Sequence, residues 1–279
     1  MKQFVLLFLI TIPLIAQERS TTGPQQGSLI VAGGGFIGAD ITNTFINLAG
    51  GKDASIVVIP TAGGQESYDD DVWFAKQLRE FGCTNITVLH TYDRNLADSD
   101  EFTLSLKEAT GVWFSGGRQW RLVDAYAGTE SEKAFWKVLK KGGVIGGTSA
   151  GATIQGSYLA RGDTKTNQIM MGDHEEGFGF IKNIAIDQHV LARNRQFDMF
   201  DILKNRPELL GVGLDESTAI VVKQNTFEVI GDSNVLIYDG SFWSRDKNDI
   251  QNPPETKQLF YFLQKGDKYD LKERKVLSN

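Results

Sequence analysis

Gly147-Thr148-Ser149-Ala150-Gly151 sets a serine between two glycines directly after the aliphatic run Val144-Ile145, which is the spacing of a nucleophile elbow. Such a serine sits on a strained strand-to-helix turn, and small flanking residues relieve its clashes with the neighbouring strand and helix. The amide of Ala150 then faces the same space as the hydroxyl and can donate to an oxyanion, with the positive end of a helix behind it. The plainer alternative is a small-residue turn in which Ser149 caps a helix. Near neutral pH a serine nucleophile needs a base, and the chain offers His90, His174 and His189. His90 closes an aliphatic run and suits a cleft wall. His174, in Gly172-Asp173-His174-Glu175-Glu176-Gly177, suits a solvated loop, because adjacent residues seldom converge on one ion. His189 follows the apolar run 181–186 in Asp187-Gln188-His189, at the polar strand end where α/β active sites are built, and is the base of choice. Glu216 is the candidate group to orient it, with Asp215 and Asp187 as competitors. The chain order serine, histidine, acid differs from the serine, acid, histidine of α/β-hydrolases, so the elbow does not imply that fold.

Composition removes other chemistries. Cys83 is the one cysteine, so intramolecular disulfides, cysteine-rich zinc sites and CxxC redox pairs are excluded. With 29 Lys+Arg against 35 Asp+Glu, a net charge of −6 and no basic run, the chain lacks the electrostatic footprint of nucleic-acid binding. The 279 residues, 41% apolar and 23% charged, suit a folded domain with a substantial core. Gly33-Gly34-Gly35-Phe36-Ile37-Gly38 satisfies GxGxxG after a strand, but the second strand ends Val58-Ile59-Pro60-Thr61 without the acid a dinucleotide site uses for ribose. A tight turn lining a cleft is the preferred reading.

The elements that must position these residues alternate between short aliphatic runs and amphipathic stretches. Strands are expected at 28–32, 55–60, 86–90, 111–114, 143–145 and 181–186, and helices at 41–48, 70–81, 103–109, 119–126 and 130–140. This order predicts an α/β fold with a doubly wound, mostly parallel sheet and helices on both faces. Strands at 218–222, 226–230 and 235–238, then an alternating segment at 258–271 after the break Asn252-Pro253-Pro254, predict an antiparallel C-terminal extension. Met1-Lys2, an apolar stretch from Phe4 to Ile15 and Ala16 before a polar run read as a signal peptide over 1–16, followed by a flexible segment over 17–27 and one catalytic domain over 28–279. The apolar stretch is short of the roughly 20 residues of a stable span, so export with cleavage is expected, and no membrane association afterwards. Removing residues 1–16 deletes Lys2 alone among charges and takes the chain from −6 to −7.

Taken together, Gly147-Thr148-Ser149-Ala150-Gly151, Gly116-Gly117-Arg118-Gln119, Asp187-Gln188-His189 with Arg193 and Arg195, and Gly213-Leu214-Asp215-Glu216-Ser217-Thr218-Ala219 resemble the cyanophycinases. These belong with the aspartyl dipeptidases among serine peptidases on a flavodoxin-like fold similar to class I glutamine amidotransferases. The resemblance runs from about Leu29 through the closing Gly266-Asp267-Lys268-Tyr269-Asp270-Leu271. It implies Ser149 as nucleophile, His189 as base and Glu216 as its partner, with Gly117 facing Ala150 as the second oxyanion donor. Gln119, Asp187, Gln188, Arg193 and Arg195 would line the substrate pocket, and no metal or organic cofactor would be required.

Two positions depart from that family, which has an acid before the glutamine of the GG-loop and a third arginine three places after the second. Here they read Arg118 and Asp198, both expected at the substrate pocket. Losing an arginine there removes a bidentate donor and adds repulsion toward a substrate carboxylate, which Arg118 would offset if the two share the pocket. The expectation is an exported peptidase or isopeptidase acting beside aspartyl-type residues, with a peptide or isopeptide as partner and a homodimer as a candidate assembly. A non-catalytic peptide-binding protein on the same fold is the alternative.

Overall fold

Leu29 and Val31 enter one apolar layer while Ile30 and Ala32 enter another, as alternation along a strand demands. The same division recurs at Val57 and Ile59 against Ile56 and Val58, and at Val112 and Phe114 against Trp113. A sheet made of such strands is covered on both faces. The computed structural model describes residues 21–239, 244–246, 249–251 and 260–278. The leader pattern over 1–16, the start of the polar segment at 17–20 and the Asn252-Pro253-Pro254 break lie outside the described residues.

The chain runs β1 (Ser28–Ala32), α1 (Ala39–Ala49), β2 (Ile56–Ile59), a 3₁₀ turn at Thr61–Gly63, α2 (Trp73–Glu80) and β3 (Ile86–Val88). It continues through α3 (Arg94–Ala97), α4 (Asp100–Glu108), β4 (Gly111–Phe114), α5 (Trp120–Tyr126), α6 (Glu130–Lys140) and β5 (Val144–Thr148). Next come α7 (Ala150–Thr153), β6 (Gly156–Tyr158), β7 (Ile181–Gln188), α8 (Met199–Leu203) and β8 (Leu210–Leu214). Strands β9 (Thr218–Lys223), β10 (Thr226–Gly231), β11 (Val235–Asp239), β12 (Ser244–Asp246), β13 (Asp249–Gln251), β14 (Tyr261–Leu263), β15 (Lys268–Asp270) and β16 (Lys275–Leu277) close the chain. Helices α1 and α2 cover one face through Ile41, Phe45, Phe74 and Leu78, and α4, α5 and α6 cover the other through Leu106, Leu122, Tyr126, Phe135 and Leu139.

The α/β architecture read from the sequence is present, with two large sheets and the small β12-β13 pair among the described residues where one sheet was expected. A nine-stranded sheet has the order β16-β15-β10-β9-β1-β5-β4-β2-β3, and its β1, β5, β4, β2 and β3 are parallel. Antiparallel β9, β10, β15 and β16 extend it, as the C-terminal pattern predicted. A separate five-stranded sheet, β14-β11-β8-β7-β6, carries the strand before His189. Strand β8 is not among the expected strands, because Gly211 and Gly213 weaken the strand signal. A Cβ on Gly211 would lie 2.6 Å from Met199 and one on Gly213 3.0 Å from Val190, so close packing excludes the side chains that would have marked the strand. The small helix α7 packs on β5, β1, β4 and β7, seating the elbow between the sheets.

Candidate active site

Ser149 lies between β5 and α7 with φ 56° and ψ −113°, the strained turn its glycine-flanked motif predicts. A side chain on Gly147 would strike the carbonyl of Gly151, and one on Gly151 would strike that of Phe114. The His189 Nε2 is 3.0 Å from Ser149 Oγ, and its Nδ1 is 2.6 Å from Glu216 Oε1. A carboxylate at Nδ1 fixes the tautomer that leaves Nε2 as an acceptor for the serine proton. Of the three acids left open by sequence, Glu216 meets the histidine. Asp215 instead accepts the amides of Leu191 and Ala192 and the Ser233 hydroxyl, so it shapes the turn just after His189.

The glycine turn after β1 holds this constellation in place. Three consecutive carbonyls, of Ala32, Gly33 and Gly34, accept the amides of Ser149 (3.0 Å), His189 (3.1 Å) and Ser217 (3.0 Å). Those three donors share φ 56°. Gly34, at φ 122°, lies so close to the His189 ring that a Cβ would overlap it, and a Cβ on Gly35 would come within 2.6 Å of Glu216 Oε2. The GxGxxG match is thus a cleft-lining turn, in contact with the two residues that would activate the serine.

The Gly116-Gly117 loop flanks Ser149 from the β4 side. A Cβ on Gly116 would be 3.3 Å from Ser149 Cβ, and Gly117 takes φ 139°, where a side chain would strike the Ala62 carbonyl. That carbonyl accepts the amide of Arg118 at 2.8 Å and Nη1 of Arg121 at 3.0 Å. The amides of Ala150 and Gly117 donate to no carbonyl among the described residues, leaving both available to an oxyanion. Behind this loop His90 sits between the rings of Tyr68 and Tyr92, its Nδ1 2.8 Å from Thr61 Oγ1. His174 is placed elsewhere, between Asp124 at 2.9 Å and Asp173 at 3.1 Å. Burial works against its charge, but those carboxylates outweigh it and raise its pKa.

For His189 the balance runs the other way. Burial pushes its pKa below the ordinary value of 6.5, and the charges of Arg193 and Arg195 add to that, while Glu216 opposes them. The imidazole is therefore neutral, and able to accept a proton, down to a lower pH than a free histidine.

Around this core, Gln119 is buried with its Nε2 on the Ala160 carbonyl at 2.5 Å. Arg118 donates through Nη2 to the Asp163 carbonyl, and its buried Nε has no partner among the described residues. Arg195 is 4% exposed and, among the described residues, its guanidinium hydrogen-bonds only to Gln188, its Nη1 lying 3.3 Å from both the carbonyl and Oε1 of that residue. Arg193 is exposed. Among the described residues, none of these three arginines has a carboxylate within ion-pair distance. The acids are placed differently. Asp187 is 1% exposed, and both its oxygens are taken by Arg161, at 2.7 and 2.9 Å. Asp198, expected to repel a substrate carboxylate, is paired at 2.6 Å with Nη2 of the same arginine. Sequence reasoning did not single out Arg161, which sits in no motif and belongs to a residue type that is seldom buried.

Residues 29–230 match the sequence model of peptidase family S51. A cyanophycinase of Geminocystis herdmanii is 31% identical over 265 residues, spanning 91% of this chain and 97% of that protein. A cyanophycinase of Synechococcus elongatus is 30% identical over 270 residues, or 92% of this chain and 84% of that one. Among solved structures, a peptidase from an acI-B1 Actinobacterium has a TM-score of 0.65 at 26% identity, covering 89% of this chain and 98% of its own. A putative peptidase E protein from Listeria monocytogenes, at TM-score 0.53 and 16% identity over 74% of this chain, shares the fold.

Proposed function

The chain belongs to peptidase family S51 and is a serine-type hydrolase of the cyanophycinase kind, and from that premise we propose that it hydrolyses amide or isopeptide bonds beside aspartyl-type residues through an acyl-enzyme on Ser149. The observation that carries this reading is the continuous contact from Glu216 through His189 to Ser149, set beside arginines that hold no carboxylate of their own. His189 Nε2 takes the hydroxyl proton as Ser149 Oγ bonds to the carbonyl carbon, and the Ala150 and Gly117 amides hold the resulting oxyanion. On collapse the C–N bond breaks and His189 passes its proton to the leaving amine. Water then adds to the acyl carbon, giving a proton to His189, and the serine is regenerated with release of the acid.

A substrate carboxylate would meet Arg193 and Arg195, whose guanidinium groups suit bidentate contact. Arg118, beside the oxyanion donor Gly117 and in place of the acid found in the family, favours an acidic over a basic group in the pocket. Export is supported by the leader pattern over 1–16.

The test is a hydrolysis screen of α- and β-aspartyl dipeptides and cyanophycin with purified protein and Ser149→Ala. Turnover by the wild type and a fall of about 10⁴-fold or more in the variant are expected. Hydrolysis retained by Ser149→Ala would sink the assignment.

A further inference from the structure

Arg161 follows β6 and takes φ 56°, with its backbone amide on the Met170 carbonyl at 3.0 Å. Its guanidinium is wholly enclosed at 0% exposure, and every arm is used. Nε and Nη2 fork onto Asp187, Nη2 also reaches Asp198, and Nη1 meets the Asn167 carbonyl at 2.9 Å. Asp187 precedes His189 by two residues and Asp198 follows it by nine, so one side chain ties both ends of the segment that carries His189, Arg193 and Arg195. The backbone around Arg161 also receives the opposite wall, through Gln119 on the Ala160 carbonyl and Arg118 on the Asp163 carbonyl.

Arg195 lies within electrostatic reach of both aspartates but pairs with neither, and burial, then the like charge of Arg161, push its pKa down. Two carboxylates and two guanidinium groups thus share one region, enclosed except at the half-buried Asp198, and Arg161 has taken both acids. Were it absent, the buried Asp187 would have Arg195 as the cation at hand, because a buried charge left unpaired is strongly unfavourable. We propose that Arg161 is a specificity-determining positioning residue: by saturating Asp187 and Asp198 it keeps Arg195 free for a carboxylate of the substrate. This rests on the reading above of Ser149 chemistry and of Arg193 and Arg195 as carboxylate donors. Asp198 is then a counter-ion of Arg161, and its charge limits the pull of the pocket on an anion.

The experiment compares an acidic aspartyl dipeptide with its neutral amide counterpart on wild type, Arg161→Met, Arg161→Lys, Asp198→Asn and the double variant Arg161→Met/Asp198→Asn. Labelling of Ser149 by a fluorophosphonate reports whether the relay survives in each. In Arg161→Met the KM for the acidic substrate should rise about tenfold or more, the scale of one charge-assisted hydrogen bond, while KM for the neutral one and the labelling rate change little. Removing Asp198 as well should recover part of that loss, because one competitor for Arg195 has gone. Asp198→Asn alone should lower the KM for the acidic substrate. Arg161→Lys, which keeps the charge without the fork, should fall between wild type and Arg161→Met.

Equal losses for both substrates in Arg161→Met and Arg161→Lys, with slowed labelling and no recovery in the double variant, would overturn the proposal in favour of a purely structural role. If Arg161→Met fails to fold, an unchanged ratio of acidic to neutral KM in both Arg161→Lys and Asp198→Asn would overturn it. A wild type that neither hydrolyses nor labels would instead overturn the peptidase reading on which it rests.

Discussion

His189 is where geometry and electrostatics pull in different directions. Glu216 at 2.6 Å favours its protonated form, yet burial and the two arginines prevail and its pKa is lowered from 6.5. Below that pKa the imidazole carries a proton and cannot take one from Ser149, so kcat/KM should climb with pH along a limb lying below 6.5. Replacing Arg193 by Gln removes a charge that depresses the pKa, and the limb should move to higher pH. A pH profile of kcat/KM decides this, and a limb that stays fixed or moves down would refute the electrostatic account. Ser149, His189 and Glu216 were legible from sequence because each stands just past a strand, beside glycine or another polar residue, where side chains reach a cleft. Asp198 was legible only in part, because it pairs with Arg161, 37 positions away, and nothing in the local pattern joins them.

At the level of elements, the site depends on the turn after β1 more than on any helix. Gly34→Ala would put a methyl group into the His189 ring and hold an L-residue at φ 122°. The strain should destabilise the fold by about 1–3 kcal/mol, and displacement of the ring should cut kcat by about 100-fold or more. A thermal melt together with kcat separates the two effects; full activity in a folded variant would show that the turn does not hold the base. This turn was visible in the sequence as a glycine cluster, but its contacts were not, since they involve residues more than a hundred positions away. The strands and helices of the first half stood out because alternation and helical spacing are local signals. The expected helix over 119–126 begins one residue later, at Trp120, with Gln119 as the capping residue whose carbonyl accepts the amides of Leu122 and Val123. Strand β6 and helix α8 carried too few residues for any periodicity to register.

Across the whole molecule, Ser149 follows a strand of one sheet and His189 a strand of another, so activity should report on how well the two are held together. Beneath the His189 segment lies a core of its own, in which Leu236 packs with Val190, Met199, Tyr238 and Ala160. Val190 and Ala160 adjoin His189 and Arg161 in sequence, so a cavity here reaches both the base and the arginine clamp. Leu236→Ala should cost about 2–5 kcal/mol, and the melting temperature should fall by about 2–4 °C for each kcal/mol. Its KM for acidic dipeptides should rise in parallel, whereas an equal cavity at Leu78, on the far side of the large sheet, should lower stability alone. Kinetics on the two variants at a temperature where both are folded makes the comparison.

The three carbonyls of Ala32, Gly33 and Gly34 bear on how this chain can change over time. Ser149, His189 and Ser217, the neighbour of Glu216, are all indexed to one short stretch of backbone, much as several gears are timed from a single shaft. Altering a side chain elsewhere around the cleft would leave that timing alone. Adding or deleting one residue in the stretch would shift all three at once. Substrate preference can therefore drift gradually in this architecture, while the length of the turn is held to a single value.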